Sequence, residues 1–512
     1  MTIVQSSNFN GAAQTVPGNY IVLQPPQNLA LNGVPTNVLG IVGTASYGPV
    51  NKPTALSTMQ DYQANFGSVI ARSYDMGTHM AVATQQGANV VYAVRVTDGT
   101  DTAASVVVQT NCLTLTALYT GTYGANIVAQ IAQGTKTGTW KVVIGIPGVK
   151  SEVFDNIGFG LTAAALWAAF AAAINNGTSP TRPASGYVVA TAGVGTTAPA
   201  AASYQLTGGN DGVASVTSAT LIGQNVLPLK GMYALSTVTI NVLNLVDATD
   251  PTTWPSIVEY AIGTATTSGA GCYVYLAGAS GEAISTGATN LVTAGVDCDY
   301  VEVLHGNWKQ WQDPYNGYLR LVSPVAYASG LRAVLPPNRS TLNQPLYGIS
   351  GDQTQGYSTA QLQQLVAARI NTIGSPSPGG NYYSTLLGIN SSSNAATNID
   401  TYAMMTTFIA NTLNAGMGLY VGQNINSSIF PRCKATIQSF LLNLVQQGLL
   451  ASTDGSLPFS VTCDLSNNPF SRTSLGYLQC DVVVQFQSTV KYMIVNLQGG
   501  QTSVIVQNVT TS

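Results

Sequence analysis

Residues 38–96 alternate strand and helix signals in an order that few folds accept. The run "VLGIVG" (38–43) is short, apolar and bounded by glycine, as a buried strand is. A Gly48-Pro49 turn follows, and Ser57 then opens an amphipathic helix carrying Met59, Tyr62 and Phe66, with Ser57 and Gln60 as its capping box and Gly67 as its stop. A second helix is expected over Ser73–Gln86, ending at Gly87. "NVVYAVRV" (89–96) again reads as a buried strand. Strand, helices and strand in succession predict an α/β layer.

After Asp98 the texture changes to Thr, Gly, Ala and Val, with short strands ("ASVVVQT", "TWKVVIGI") and one Ala-rich helix from Leu161, as far as "YQLTGGNDG". Such a block between two α/β stretches reads as an inserted, mostly β domain. The α/β texture resumes in "TVTINVLNLVDATD", "GCYVYLAG", "CDYVEVL" and "YLRLVSP", then in a capped helix near Ser358 with Leu362, Leu365, Val366 and Ile370 on one face. "GSPSPGGN" (374–381) marks a boundary. Beyond it, Tyr402, Met405, Ile409 and Leu413 form one helical stripe, and Ile437, Phe440, Leu441, Leu444 and Val445 another. The chain then turns to strands: "GYLQCDVVVQFQ", "TVKYMIVNLQ" and "TSVIVQNV". Both ends read as extended arms.

Composition sharpens this. At 512 residues the chain is long enough for several domains, yet only 7% of it is charged, against about 25% in a typical soluble domain. Either Ser, Thr, Asn, Gln and Gly hydrate the surface, or much of that surface faces other subunits. A net charge of −3 argues against nucleic acid as a direct partner. No secretory signal is visible at the start, and "LTAAALWAAFAAAI" is shorter than the ~20 apolar residues a membrane span needs, so it is expected to be a buried helix. Cysteines 112, 272, 298, 433, 463 and 480 have no C-x-x-C spacing and read as free thiols.

Catalytic candidates are few. His79 lies within a helix, and His305 follows the strand "YVEVL", where α/β folds do carry sites. The nucleophile elbow fails, because "GASGE" has Glu282 in place of the last glycine. "GTKTG" lacks phosphate-loop spacing, and no cluster has zinc or calcium spacing. Asp297 with Asp299, or Asp247 with Asp250, could do glycosidic acid/base work if brought together, although such stretches usually form turns and caps. The expectation is no catalytic residue, no cofactor and no metal.

The stretch "GVPTNVLGIVGTASYGPVNKPTALSTMQDYQANFG", followed by "GANVVYAVRV", resembles the corresponding region of contractile tail sheath proteins of myovirus-type bacteriophages. "WQDPYNGYLRLVSPVAYASGLRAVLPPNRSTLNQPLYGISG" and "TFIANTLNAGMGLYVGQNINSSIFPRCKATIQSFLLNLVQQGLL" are similar to later segments of that family, in the same order. The resemblance implies a subtilisin-like α/β core without protease activity (23–97 and 214–373), an inserted mostly-β domain (98–213), an α+β C-terminal domain facing the tube (374–497), and arms at 1–22 and 498–512. It implies strand exchange between identical neighbours in a helical sheath through these arms, here Tyr20, Ile21, Val22 and Leu23 at one end and Val504, Ile505 and Val506 at the other. The implied partners are the tail tube, baseplate and tail terminator proteins, in a virion tail assembled in the host cytoplasm. Arg432 and Lys434 are candidate tube contacts, or simply solvated helix-end charges. An arm of about 20 residues, at ~3.3 Å each, reaches roughly 65 Å into a neighbour. The alternative is a cell-surface or polysaccharide-acting protein of subtilisin-like fold, which shares the low charge and the β-rich insert.

Overall fold

The computed structural model describes residues 2–4, 20–22, 31–263 and 271–497. It divides into two units: the described residues of Pro35–Thr407 with Ser488–Ser512, and those of Met1–Val34 with Phe408–Gln487. The chain is mixed α/β.

The larger unit is built on a six-stranded sheet. Its strands are β1 (Leu39–Gly43), β2 (Thr54–Leu56), β3 (Val91–Arg95), β4 (Val242–Leu245), β5 (Tyr273–Ala277) and β6 (Val301–Leu304), in the spatial order β6-β5-β4-β1-β3-β2. All pairings are parallel except that of the edge strand β2. Successive side chains of a strand point to opposite faces, and here both faces are apolar. Val42, Val94, Leu243, Leu245, Val274 and Leu276 pack with Trp254, Ile257, Tyr260, Leu291 and Leu365 on one side. Leu39, Ile41, Val91, Tyr273 and Tyr275 pack with Tyr62, Phe66, Met76, Met80 and Val325 on the other. Parallel sheets need this double cover, which is why their strands read as continuous apolar runs.

The first helix, Met59–Phe66, starts one residue later than the sequence suggested. Thr58 is its N-cap and Asp61 closes the box, with Thr58 N–H donating to Asp61 Oδ2 at 2.9 Å and Asp61 N–H to Thr58 Oγ1 at 3.1 Å. Gln60 stands one position too early to reach back to the cap. The next helix, Met76–Gln85, is capped by Asp75, not begun at Ser73. The helix Thr359–Ala367 does have Ser358 as its cap, but Val366 is exposed and Ile370 lies past its end. "YLRLVSP" forms Leu319–Val322 in a separate antiparallel sheet with Lys309–Gln312 and Ile349–Asp352, rather than joining the main one.

Residues 105–205 form two antiparallel sheets and the helix Ala163–Asn176, around a core that includes Leu115, Ile131, Ile144, Phe154, Trp167, Phe170 and Ile174. The turn after β1 clamps this block to the sheet. Tyr47 is buried within the block's own core and meets Tyr119 edge-on at 5.5 Å, while Ser46 C=O accepts from Tyr123 N–H at 3.0 Å. Arg95, fully buried at the end of β3, donates to Gly48 C=O (2.8 Å), Thr120 C=O (2.7 Å) and Asp211 C=O (3.1 Å). Gly48 is required there: its φ is +100°, and a Cβ would meet Asn65 O at 2.5 Å.

The smaller unit packs the C-terminal end of the helix Asp400–Met417, the helix Ile429–Gln446 and a hairpin of Phe459–Thr462 with Asp481–Val484. Phe408 meets Phe440 edge-on at 6.1 Å, and Ile437, Leu441 and Leu444 are buried as the stripe predicted, with Val445 at its margin. Leu31 packs where Gly416 leaves room for it, and Val34 N–H donates to Thr412 Oγ1 at 3.2 Å. Of "GYLQCDVVVQFQ" only Asp481–Val484 is strand; before it, Asn468 holds Gln479 through both of its backbone groups (2.9 and 2.6 Å).

Candidate assembly surfaces

Doubly wound parallel sheets bind ligands outside the carboxyl ends of their strands, where the winding direction reverses. Here that point lies between β1 and β4, beside a cavity of about 270 Å³ lined by Arg72, Thr78, His79, Asp247, Tyr318 and Arg320. Its charged groups form internal pairs. Arg72 Nη1 bonds Asp211 Oδ2 at 2.5 Å and Arg320 Nε bonds Asp313 Oδ2 at 2.7 Å, while His79 bridges Asn244 Oδ1 (2.9 Å) and Asp247 Oδ1 (3.2 Å). His79 thus ties a helix to the end of β4.

The other candidates also make internal contacts. His305 Nδ1 lies 2.8 Å from Tyr357 OH, and burial lowers its pKa. Glu282 accepts from Asn290 Nδ2 at 2.5 Å, and burial raises its pKa. Asp297 and Asp299 hold the loop 393–397 through Ser393 and Thr397, and Asp250 caps the turn at Thr252. All six cysteines are free thiols. Among the described residues no group of three or more His, Cys, Asp or Glu side chains could hold a metal ion, and no helix is long and apolar enough to cross a membrane.

What stands out is unsatisfied backbone and apolar surface. The sequence offered Tyr20–Leu23 no partner within its own arm, yet Tyr20–Val22 pairs in parallel with Thr2–Val4. A two-stranded parallel ladder of three residues gains little by itself. Leu23, Val504, Ile505 and Val506 lie outside the described residues. The expected strand "TVKYMIVNLQ" forms no ladder: residues 488–497 make no backbone hydrogen bond with another described residue. Val490, Tyr492, Met493, Ile494, Val495 and Leu497 are each at least 70% exposed. The segment's polar anchor is Lys491, whose Nζ donates to Asn398 Oδ1 at 3.1 Å; burial lowers its pKa. Sequence reasoning placed this run inside a folded domain and so missed its exposure. The available signal was its apolar stretch Tyr492–Val495, without the alternation of a half-buried strand.

In the smaller unit, Leu465, Phe470, Leu475 and Tyr477 are exposed along residues 464–479. Arg432 stacks over Tyr420, 5.9 Å from the ring centroid, and Lys434 lines a shallow cavity with Phe430, Cys463 and Leu465. Both cations sit on the first turns of the helix Ile429–Gln446.

No protein-family model and no curated protein matches the sequence. Solved structures do match in fold. The sheath tail protein from Listeria innocua superposes with a TM-score of 0.61 at 13% identity, over 86% of this chain and 90% of that one. The sheath tail protein from Desulfitobacterium hafniense gives 0.57 at 16% identity, over 87% and 93%. The contracted sheath of an extracellular contractile injection system gives 0.55 at 11% identity, over 95% and 98%. The chain has the fold of contractile tail sheath proteins.

Proposed function

We propose that this chain is the repeating subunit of a contractile tail sheath, with a subtilisin-like core around the six-stranded sheet. It polymerises helically around a tail tube between baseplate and terminator proteins, in a phage tail assembled in the host cytoplasm. Contraction then drives the tube through the host envelope for genome ejection.

The observation that carries this reading is the run 488–497, whose apolar side chains are highly exposed and which makes no backbone–backbone hydrogen bond with another described residue. An open helical array needs heterologous contacts that do not close on themselves, and strand addition supplies them at ~0.5–1.5 kcal/mol net per main-chain hydrogen bond. With Tyr20–Leu23 at one end and Val504–Val506 at the other, arms of this kind keep neighbours linked while the bodies rotate. A surface poor in charge is suited to that rotation, since repacking it strands few unpaired ions. Arg432 and Lys434 are the cations proposed to face the tube.

Negative-stain electron microscopy of the intact chain, beside a form lacking residues 1–22 and 498–512, tests the reading. Helical tubes from the intact chain that vanish on removal of the arms are the expected result. Tubes that persist overturn the linkage through residues 1–22 and 498–512, and monodisperse monomers from both forms overturn the sheath.

A further inference from the structure

Three thiols meet in the smaller unit. Cys433 on the helix Ile429–Gln446 and Cys463 just past Phe459–Thr462 are buried, and Cys480 just before Asp481–Val484 is half-buried. The antiparallel register sets Thr462 opposite Asp481, so the next step outward sets Cys463 opposite Cys480. The kind of step follows from the other end of the ladder. Gln485 N–H donates to Pro458 C=O at 2.7 Å, which makes that pair hydrogen-bonded. Alternation then makes 460/483 and 462/481 hydrogen-bonded and 463/480 non-hydrogen-bonded. At such a step the Cα atoms are about 4.5 Å apart and the side chains share one face, within the ~4.4–6.8 Å that a disulfide spans. The burial pattern agrees, with Phe459, Val461 and Cys463 all turned inward.

We propose that Cys463 and Cys480 are a redox modification site, a cross-strand disulfide closed by a low-molecular-weight disulfide such as oxidised glutathione. The more exposed Cys480 reacts first. Its thiolate attacks the glutathione S–S bond, forming a mixed disulfide and expelling one glutathione thiolate, which takes up the proton Cys480 gave. Cys463 then loses its proton and attacks the Cys480 sulfur, and the second glutathione leaves with that proton. Two protein thiols are oxidised and one glutathione disulfide is reduced to two thiols. Burial, and then Cys463, push the Cys480 thiol well up, and burial pushes Cys433 up to about 11. Closure is therefore slow at neutral pH and faster in alkali. The bond stays open in a reducing cytoplasm and closes in an oxidising medium. Once closed, it ties off the loop 464–479 that carries Leu465, Phe470, Leu475 and Tyr477, fixing the exposed apolar face of this unit.

Trypsin cuts after Arg432, Lys434, Arg472 and Lys491, so each of the three cysteines falls on its own peptide. The intact folded chain is incubated with oxidised glutathione at pH 8.5, quenched, alkylated in denaturant and digested without reductant. The expected product is peptide 435–472 joined to 473–491, at least tenfold over any other pairing, whereas the same oxidant in guanidinium scatters the pairings among all six cysteines. The Cys433→Ser variant is expected to give the same joined peptides. A dominant link from 433–434, a product stopped at glutathionylated Cys480, loss of the link in Cys433→Ser, or a folded chain in which 463 and 480 both stay alkylated would each overturn the proposal.

Discussion

Glu302 and Arg95 show what this chain does with its few charges. Glu302 is wholly buried in β6, accepting from Tyr273 OH at 2.9 Å and Asn371 Nδ2 at 2.7 Å, and burial, reinforced by the nearby Asp400, raises its pKa from 4.5 to about 8. The native carboxyl holds its proton where the unfolded one has lost it. Its contribution to stability is therefore fully present below about 4.5 and is lost as pH rises through about 8. Glu302→Gln, which keeps the shape, should remove that slope. Melting curves at pH 5 and pH 8.5 should show the variant gaining on the parent at the higher pH, on a scale of ~2–4 °C per kcal/mol. Arg95 serves the fold differently, through backbone carbonyls. Arg95→Met strands three of them at about 1 kcal/mol or more each, and limited proteolysis should show the block 98–213 cut faster than in the parent.

At the scale of elements, the Gly48-Pro49 turn and the helix Ala163–Asn176 are the sensitive points. Gly48→Ala combines a positive φ with a Cβ 2.5 Å from Asn65 O, and should cost about 1–3 kcal/mol, read from the shift in thermal midpoint. Phe170→Ala, in the core of the β-rich block, should cost about 3–5 kcal/mol. Most elements were legible where burial enforces periodicity: β1, β3, β5 and β6 are apolar runs, and the stripe ending at Leu444 is helical. Errors fell where a single polar side chain decides. Asp61, not Gln60, fixed one helix start. Leu319–Val322 looked like a core strand, yet it carries Arg320, whose carboxylate and aromatic partners, Asp313 and Trp311, lie in the separate antiparallel sheet or the turn joining its strands. The carbonyls that Arg95 gathers come from residues 48, 120 and 211, a convergence that spacing along a sequence does not encode.

For the whole molecule, the apolar character of 489–497 was legible, but the strand expected there does not form among the described residues, because pairing is a property of every other segment at once. A charge placed there should therefore separate folding from assembly. Tyr492 and Ile494 are more than 80% exposed, so Tyr492→Asp with Ile494→Asp should leave the melting temperature of the single subunit within about a degree, as surface changes do. The same pair should abolish tubes in the electron microscope. If the double variant melts much lower, the run packs within its own chain and the arm assignment fails.

The stretch between Asp98 and Gly212 leaves and rejoins the sheet at almost the same place, with Asp98 N–H donating to Gly212 C=O at 2.8 Å. It is thus a bracketed clause in the chain: the sentence on either side reads on without it. A foreign domain whose own termini lie close together could be spliced between these two residues without altering the order or register of the six strands, provided the carbonyls that Arg95 serves, the carboxylate that pairs with Arg72 and the cover over Tyr47 are replaced. A polymer of such subunits would carry that passenger once per copy at a fixed point, as a display lattice.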